Sequence, residues 1–327
     1  MRKLFFIVIG FVAGLPLWAQ GGSTTFDYLL LPHSARSAAL GGVNLSVIEN
    51  DASLIYDNPA FLGGEMDKTL LVSYLSYIAD IGMGNVMFTK QLGEKTSFGI
   101  GALYANYGNM LETSDDNRIL GDLRASDICE SFFVAHDITE RLRGGVAGKF
   151  LYSNYYHNTA IGIGVDLGLS YCSDDNTFSL GLVGKNIGRQ IKAYDEELAA
   201  LPWDVQFGVS KRLNHAPIRF SVTALHLKRW KFDDVYATGD SFIKTLGKHL
   251  LVGIEILPSD NFWIGAGYNI KRAADMHLEN GNRLGGFSAG VGLRIKTFSV
   301  GCSLGKYNTA ATSFMISLAT SFAAREI

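Results

Sequence analysis

Residues 161–171 alternate without a break: Ile161, Ile163, Val165, Leu167, Leu169 and Tyr171 fall on one face, and Gly162, Gly164, Asp166, Gly168 and Ser170 on the other. Residues 287–295 repeat the pattern, with Phe287, Ala289, Val291, Leu293 and Ile295 set against Ser288, Gly290, Gly292 and Arg294. A period of two is the period of a β-strand. A soluble sandwich would turn such an apolar face to a core and give water a broad polar face. Here the second face is small and glycine-rich, which suits a lumen filled by another part of the chain. The chain is 47% hydrophobic and 18% charged, with a mean hydropathy of +0.14. Yet no stretch beyond residue 19 is long and apolar enough to cross a bilayer as a helix. Lipid cannot satisfy a free backbone donor or acceptor, so an apolar chain of this kind enters a membrane only as a closed barrel. The expected fold is all-β: a transmembrane antiparallel up-and-down β-barrel of about fourteen strands over residues 67–327.

The strand candidates begin near Thr69, Met83, Thr96, Asp127, Leu142, Asn158, Thr177, Trp203, Pro217, His249, Asn261, Gly285, Thr297 and Ser313. Tight connections at Gly93-Glu94, Thr139-Glu140, Asp174-Asp175, Asn214-His215, Ser259-Asp260 and Lys296 alternate with long ones, as short periplasmic turns alternate with long external loops. That pattern predicts both termini in the periplasm. The first connection, residues 79–82, departs from it by being short on the outer side. Tyr74, Tyr77, Tyr104, Tyr107, Tyr152, Trp203, Phe262 and Phe322 stand near strand ends, where aromatic girdles form.

Arg2-Lys3 precedes an apolar run that ends at Leu17-Trp18-Ala19, the three-part pattern of a secretory signal, so residues 1–19 are expected to be removed. The formal charge of -2 then becomes -4, because two of the 29 basic residues are lost and 31 acidic ones remain. Neither value suggests a nucleic-acid partner. Cys129, Cys172 and Cys302 are far apart and odd in number, so free thiols are expected, with one pair left open.

Residues 20–66 read differently from the strands and are expected to form a small, partly helical plug. Ser34 is placed to cap a helix from Ala35 to Leu40 that stops at Gly41-Gly42, and Asp51 to cap another from Ala52 to Tyr56. Asparagine before proline disfavours helix, so Asn58-Pro59-Ala60 is expected to end the second helix, redirect the chain and lock the plug.

Pro32, Ala35-Arg36-Ser37-Ala38-Ala39, Gly41-Gly42, Asp51-Ala52-Ser53 and Asn58-Pro59-Ala60 together resemble the N-terminal region of the FadL-like outer-membrane proteins. Within that group they are most similar to the PorV/PorQ branch of the type IX secretion system. The resemblance implies an integral outer-membrane location in contact with lipid and a surface partner resembling PorZ, in one complex with PorU and PorV. It also implies a link with the attachment of cargo to anionic lipopolysaccharide.

No constellation for catalysis is legible. The histidines His33, His136, His157, His215, His226, His249 and His277 lack metal spacing, no GxSxG elbow occurs, and no GxGxxG turn joins a strand to a helix. No enzyme, metal or cofactor is expected. With the apolar faces on lipid, Arg143, Lys149, Asp166, Lys185, Asp204, Glu255 and Arg294 are expected to point into the lumen, where Arg36 and Asp51 of the plug are candidates to pair with them. A salt-bridged plug and a polar permeation path both fit this set. Three long external loops remain: residues 107–126, 188–202 and 229–247. The third carries Arg229, Trp230, Phe232 and Tyr236, a mixture typical of protein interfaces, and is the leading candidate contact.

Two functions follow from different classes. One is a non-enzymatic barrel that anchors a surface partner through its external loops. The other is a FadL-like channel for hydrophobic small molecules, which requires an apolar pocket beside the plug and an opening in the wall.

Overall fold

The computed structural model describes residues 24–108, 110–113, 116, 118–156, 158–194, 197–230, 241–276, 284–307 and 311–323. The proposed signal, residues 1–19, lies outside them, as do Phe232 and Tyr236.

The strands follow one another in the chain as β1 (Thr69–Ser76), β2 (Gly82–Gln91), β3 (Thr96–Asn106), β4 (Met110–Thr113), β5 (Ile119–Leu123), β6 (Ala125–Asp137), β7 (Leu142–Tyr155) and β8 (Asn158–Cys172). After them come β9 (Phe178–Lys192), β10 (Asp204–Arg212), β11 (Ile218–Ala224), β12 (Leu250–Ser259), β13 (Phe262–Asn269), β14 (Phe287–Ile295), β15 (Phe298–Gly305) and β16 (Ser313–Ser321). All but β4 and β5 form a closed antiparallel barrel of 14 strands, in which β1 pairs with both β2 and β16. The β4–β5 hairpin stands apart, within the first long external connection. Each observed barrel strand begins within two residues of its predicted start.

Barrel closure leaves no edge, so every wall strand satisfies its backbone on both sides. Side chains of opposite parity then meet opposite environments. Val72, Ile100, Phe132, Ile163, Phe220 and Val291 are exposed on the outer surface, while Ser73, Ser131, Asp166, Ser221 and Glu255 are buried inside. A continuous apolar surface around a closed barrel belongs in lipid. Among the described residues no helix is long and apolar enough to cross a membrane, and the strands do the crossing.

The lumen is filled by the segment that precedes β1. It contains α1 (Ala35–Ala39), capped by Ser34 Oγ, which accepts from Arg36 N and Ser37 N. Three short 3-10 turns follow, Ala52–Leu54, Pro59–Phe61 and Gly64–Met66. The reading of Asn58-Pro59-Ala60 needs correction: the tripeptide ends no longer helix but begins a turn of its own, with Asn58 as cap and proline at the first position, where its missing N–H costs nothing. The helix predicted over residues 52–56 is a single 3-10 turn, with the expected Asp51 cap accepting from Ser53 N.

Plug and wall touch through backbone. A Cβ on Gly181 would lie 1.6 Å from Leu45 O, and one on Gly267 would lie 2.2 Å from Leu40 C. Only glycine allows the plug that close. Three further findings correct the sequence reading. The chain enters the lumen from the outer side, where Thr25 N donates to Ala200 O, so the expectation of two periplasmic termini fails for the N-terminal part. Tyr77 and Tyr107 turn inward instead of joining a girdle, Tyr77 against Tyr307 and Tyr107 onto Asp127, whereas Tyr74, Tyr104 and Tyr152 face outward. Two short external helices, α2 (Phe242–Lys248) and α3 (Ile270–Asp275), stand where loops were expected.

Candidate functional site: the plugged lumen and its outer mouth

Two charge networks tie the plug to the wall. In the first, Arg36 Nε on α1 donates to Glu255 Oε1 on β12 at 2.8 Å, and Arg219 Nε on β11 donates to Glu255 Oε2 at 2.8 Å. Arg219 Nη1 continues the chain to Glu49 Oε1 at 2.6 Å, and Arg36 also stands 3.8 Å from Asp51. In the second, Asp166 Oδ2 lies 2.7 Å from Lys149 Nζ and 2.9 Å from Lys185 Nζ. A bulge makes this triad possible. Lys185 and Asn186 together oppose Asp166, Asn186 takes φ of 52°, and its N–H donates to Asp166 Oδ1 at 2.7 Å. Lys185 then reaches Tyr56 O on the plug.

The other predicted lumen charges are spread along the barrel. Arg143 lies near the periplasmic mouth between Asp137 and Glu65, at 2.5 Å and 3.1 Å. Arg294 donates to Asn50 O. Asp204 is nearer the outer end and accepts from His226 N at 2.7 Å. Sequence reasoning missed Arg219 and Glu49. Strand parity was the available signal for Arg219, because its neighbour Phe220 faces lipid.

Between the networks, Asn58 links three segments: Oδ1 accepts from Ala60 N at 3.0 Å, and Nδ2 donates to Leu169 O at 3.2 Å and Leu45 O at 3.4 Å. Ser170 Oγ donates to Ala60 O at 3.1 Å. Gly41 and Gly42, with φ of 105° and 119°, end α1, and Gly41 N donates to Ser288 Oγ at 3.0 Å. Asp57 is buried and accepts from Ser37 Oγ and, at 3.2 Å, from Asn44 N. Burial pushes its carboxyl up to about 6, against those hydrogen bonds.

The outer half of the lumen is apolar and occupied. Phe26, Tyr28 and Leu29 pack with Leu75, Met83, Leu103, Leu151, Leu201 and Met315. Tyr107 donates to Asp127 and Tyr194 to Ser153 around the rim of this cluster. Across the mouth, Arg272 of α3 stacks 4.0 Å above Tyr307 and donates to Gly41 O at 3.3 Å, so α3 is fastened to the plug. By contrast, polar space surrounds residues 48–51 at the periplasmic mouth, including a cavity of about 400 Å³ lined in part by Glu49, Glu65, Arg143 and Arg219.

On the external surface, Trp230 stacks on His249 with centroids 5.1 Å apart and lies 5.3 Å from Phe242. Trp230 remains exposed, as do Phe242 at 67% and Ile243 at 78%. Arg229 N donates to His226 O at 3.0 Å in the same loop. Among the described residues no group of three or more histidine, cysteine or acidic side chains gathers as a metal would require, and Cys129, Cys172 and Cys302 are free thiols.

A closed 14-strand barrel with a lipid-facing apolar surface and a plugged lumen is an integral outer-membrane protein. No protein-family profile matches the sequence, and no curated protein matches it. Solved structures do. The Ralstonia pickettii toluene transporter TbuX is similar over 90% of this chain and 100% of its own, with a TM-score of 0.56 and 12% identity. A Pseudomonas aeruginosa FadL homologue matches over 90% of this chain and 99% of its own, with a TM-score of 0.55 and 11% identity. The Pseudomonas putida toluene transporter TodX matches over 91% and 98%, with a TM-score of 0.53 and 12% identity. The chain has a FadL-like fold.

Proposed function

We propose that this protein is a closed anchor in the outer membrane, a PorQ-like component of the type IX secretion system that holds a surface partner resembling PorZ beside PorU and PorV. The observation that carries the reading is the filling of the outer lumen by Phe26, Tyr28 and Leu29. A channel for hydrophobic molecules needs an apolar pocket beside its plug, and here the chain's own side chains take that space. Further support comes from outside the barrel, where Trp230, Phe242 and Ile243 expose aromatic and aliphatic area that water alone does not favour. The resemblance of the plug residues supplies the identity of the partner.

The second reading is a channel for hydrophobic small molecules, favoured by the likeness in fold to the two toluene transporters. One experiment separates them. Vesicles containing the purified protein are assayed for toluene entry, and the same protein is tested for capture of a purified PorZ-like partner. The anchor reading expects capture with toluene entry at the rate of protein-free vesicles. Protein-dependent toluene entry without capture would overturn it.

A further inference from the structure

Cations gather on one stretch of the outer lip, where the lipid-facing wall gives way to the headgroups. On β10 the outward row runs Val209, Phe207 and Val205, and Trp203 continues it just before the inward Asp204. On β11 the outward row Ile218, Phe220, Val222 and Ala224 leads out towards Lys228. From Ile218 to Lys228 a tilted strand climbs about 25 Å, the height of an outer-membrane apolar band, so Lys228 stands at the upper edge of that band. Its Nζ lies 3.6 Å from the centre of the Trp203 ring. An indole at the interface with a cation resting on its face suits this level of a membrane.

On the other side of Trp203 stands β9. Residues 200–202 run beside that strand: Ala200 pairs with Arg189, Leu201 N donates to Gly188 O at 3.3 Å, and Asn186 Nδ2 donates to Pro202 O at 3.4 Å. Arg189 is exposed and outward, opposite Ile163 of β8, and its Nε donates to the Gln190 carbonyl at 3.4 Å. Lys192, further out on the same strand, donates to Thr159 Oγ1 at 2.6 Å. Among the described residues none of these three cations meets a carboxylate. Two strand spacings, about 10 Å, separate β9 from β11, with Trp203 between them. Differences in Cα depth between the strands are taken up by the long arginine and lysine stems, which carry their charges to the headgroup level.

We propose that this lip, from β9 across Trp203 to Lys228, is a binding site for a phosphorylated glycolipid of the outer leaflet, with a phosphate on Arg189 and Lys228 and the acyl chains along Val205 and Phe207. Phosphate suits the pair because a guanidinium takes two of its oxygens while an ammonium adds a point charge. The lipid as its source follows from continuity with the wall. Directly below the cations the outward row is apolar and already faces acyl chains, and a soluble anion would gain nothing from it. The site does not depend on whether the barrel anchors a partner or conducts.

Lipid binding in detergent tests this. Wild type, the double variant Arg189→Gln with Lys228→Gln, and the control Lys306→Gln, which alters a cation beyond β15 on the same lip, are purified and washed free of carried lipid. The heat-dependent mobility shift confirms that each is folded. Native mass spectrometry then measures retention of added bisphosphorylated lipid A and of its dephosphorylated form. Wild type should prefer the phosphorylated lipid at least about tenfold, and the double variant should lose that preference. Lys306→Gln should keep it, and inorganic phosphate in excess should not displace the lipid. Equal retention of both lipids by wild type overturns the proposal. So does an undiminished preference in the folded double variant, an equal loss in Lys306→Gln, or displacement by inorganic phosphate.

Discussion

Arg36 on the plug and Glu255 on the wall share a buried hydrogen bond of 2.8 Å, and Arg219 completes the carboxylate from its other oxygen. The plug is thus held at Arg36, whose other carboxylate neighbour, Asp51, is farther away at 3.8 Å. Replacing Glu255 by glutamine leaves two buried guanidinium groups facing one neutral amide. This should destabilise the plug by about 3 kcal/mol or more, because removing one member of a buried set strands the others. Urea titration of the folded barrel in detergent reads the loss, and a midpoint equal to wild type would argue against the role given to this network.

Asn58 and Pro59 form the second attachment. Asp51→Ala should cost about 1 kcal/mol through loss of the cap on the Ala52–Leu54 turn. Changing Asn58 and Pro59 together removes the bonds to Leu169 O and Leu45 O and should loosen the plug while the barrel stays inserted. Planar-bilayer recording checks it: the double variant should show brief conductance steps that wild type lacks, and identical silence would count against locking.

Asp57 gives the plug a pH dependence. Its carboxyl is raised to about 6 in the folded state, against about 3.9 for a free aspartate. A raised acid binds its proton more tightly when folded, so its contribution is most favourable below about 4 and is lost as pH rises through about 6. Wild type should therefore unfold at lower urea at pH 7 than at pH 5. Asp57→Asn should flatten this difference, and an unchanged slope in the variant would assign the pH effect to another group.

Trp230 offers a test of docking. It is held by His249 and Phe242 yet still exposed, the posture of a rigid aromatic anchor. Under the anchor reading, Trp230→Ala should weaken capture of the PorZ-like partner by about 2 kcal/mol, more than tenfold, with no change in barrel folding. Removal of residues 231–240 together with Trp230 should abolish capture. Full capture by both variants would move the contact to another loop.

The barrel was readable in the sequence because each strand faces two solvents. Ile163 and Gly168 differ in character because one meets lipid and the other the plug at Asn58 and Pro59. Lumen charges were readable by the same parity, as at Glu255 between Ile254 and Ile256. Their pairing was not. Nothing local joins Arg36 to Glu255 across 219 positions, and the bulge that gathers Lys149, Lys185 and Asp166 depends on a left-handed Asn186 that no pattern announces. The external helices were missed because α2 and α3 have only seven and six residues, too short for a 3.6-residue period to separate from loop. Tyr107 continues the inward row of Leu103 and Ala105, so strand parity already pointed it into the lumen. Its hydrogen bond to Asp127 holds it there.

The backbone contact between Leu40 and Gly267 also bears on the order of events during assembly. The plug is made first, but its closest backbone approaches are to Gly145 on β7, Gly181 on β9 and Gly267 on β13, all of which come later in the chain. Until those strands arrive, α1 and the turns after it bring their polar groups to the membrane without acceptors. Barrel closure at the seam of β1 and β16 therefore has to trap the plug as it docks, for the finished wall leaves no gap through which a helix with its side chains can enter later. A defect that keeps the plug from docking at all should show itself as failed insertion by the assembly machinery, whereas one that only loosens a docked plug leaves the barrel inserted.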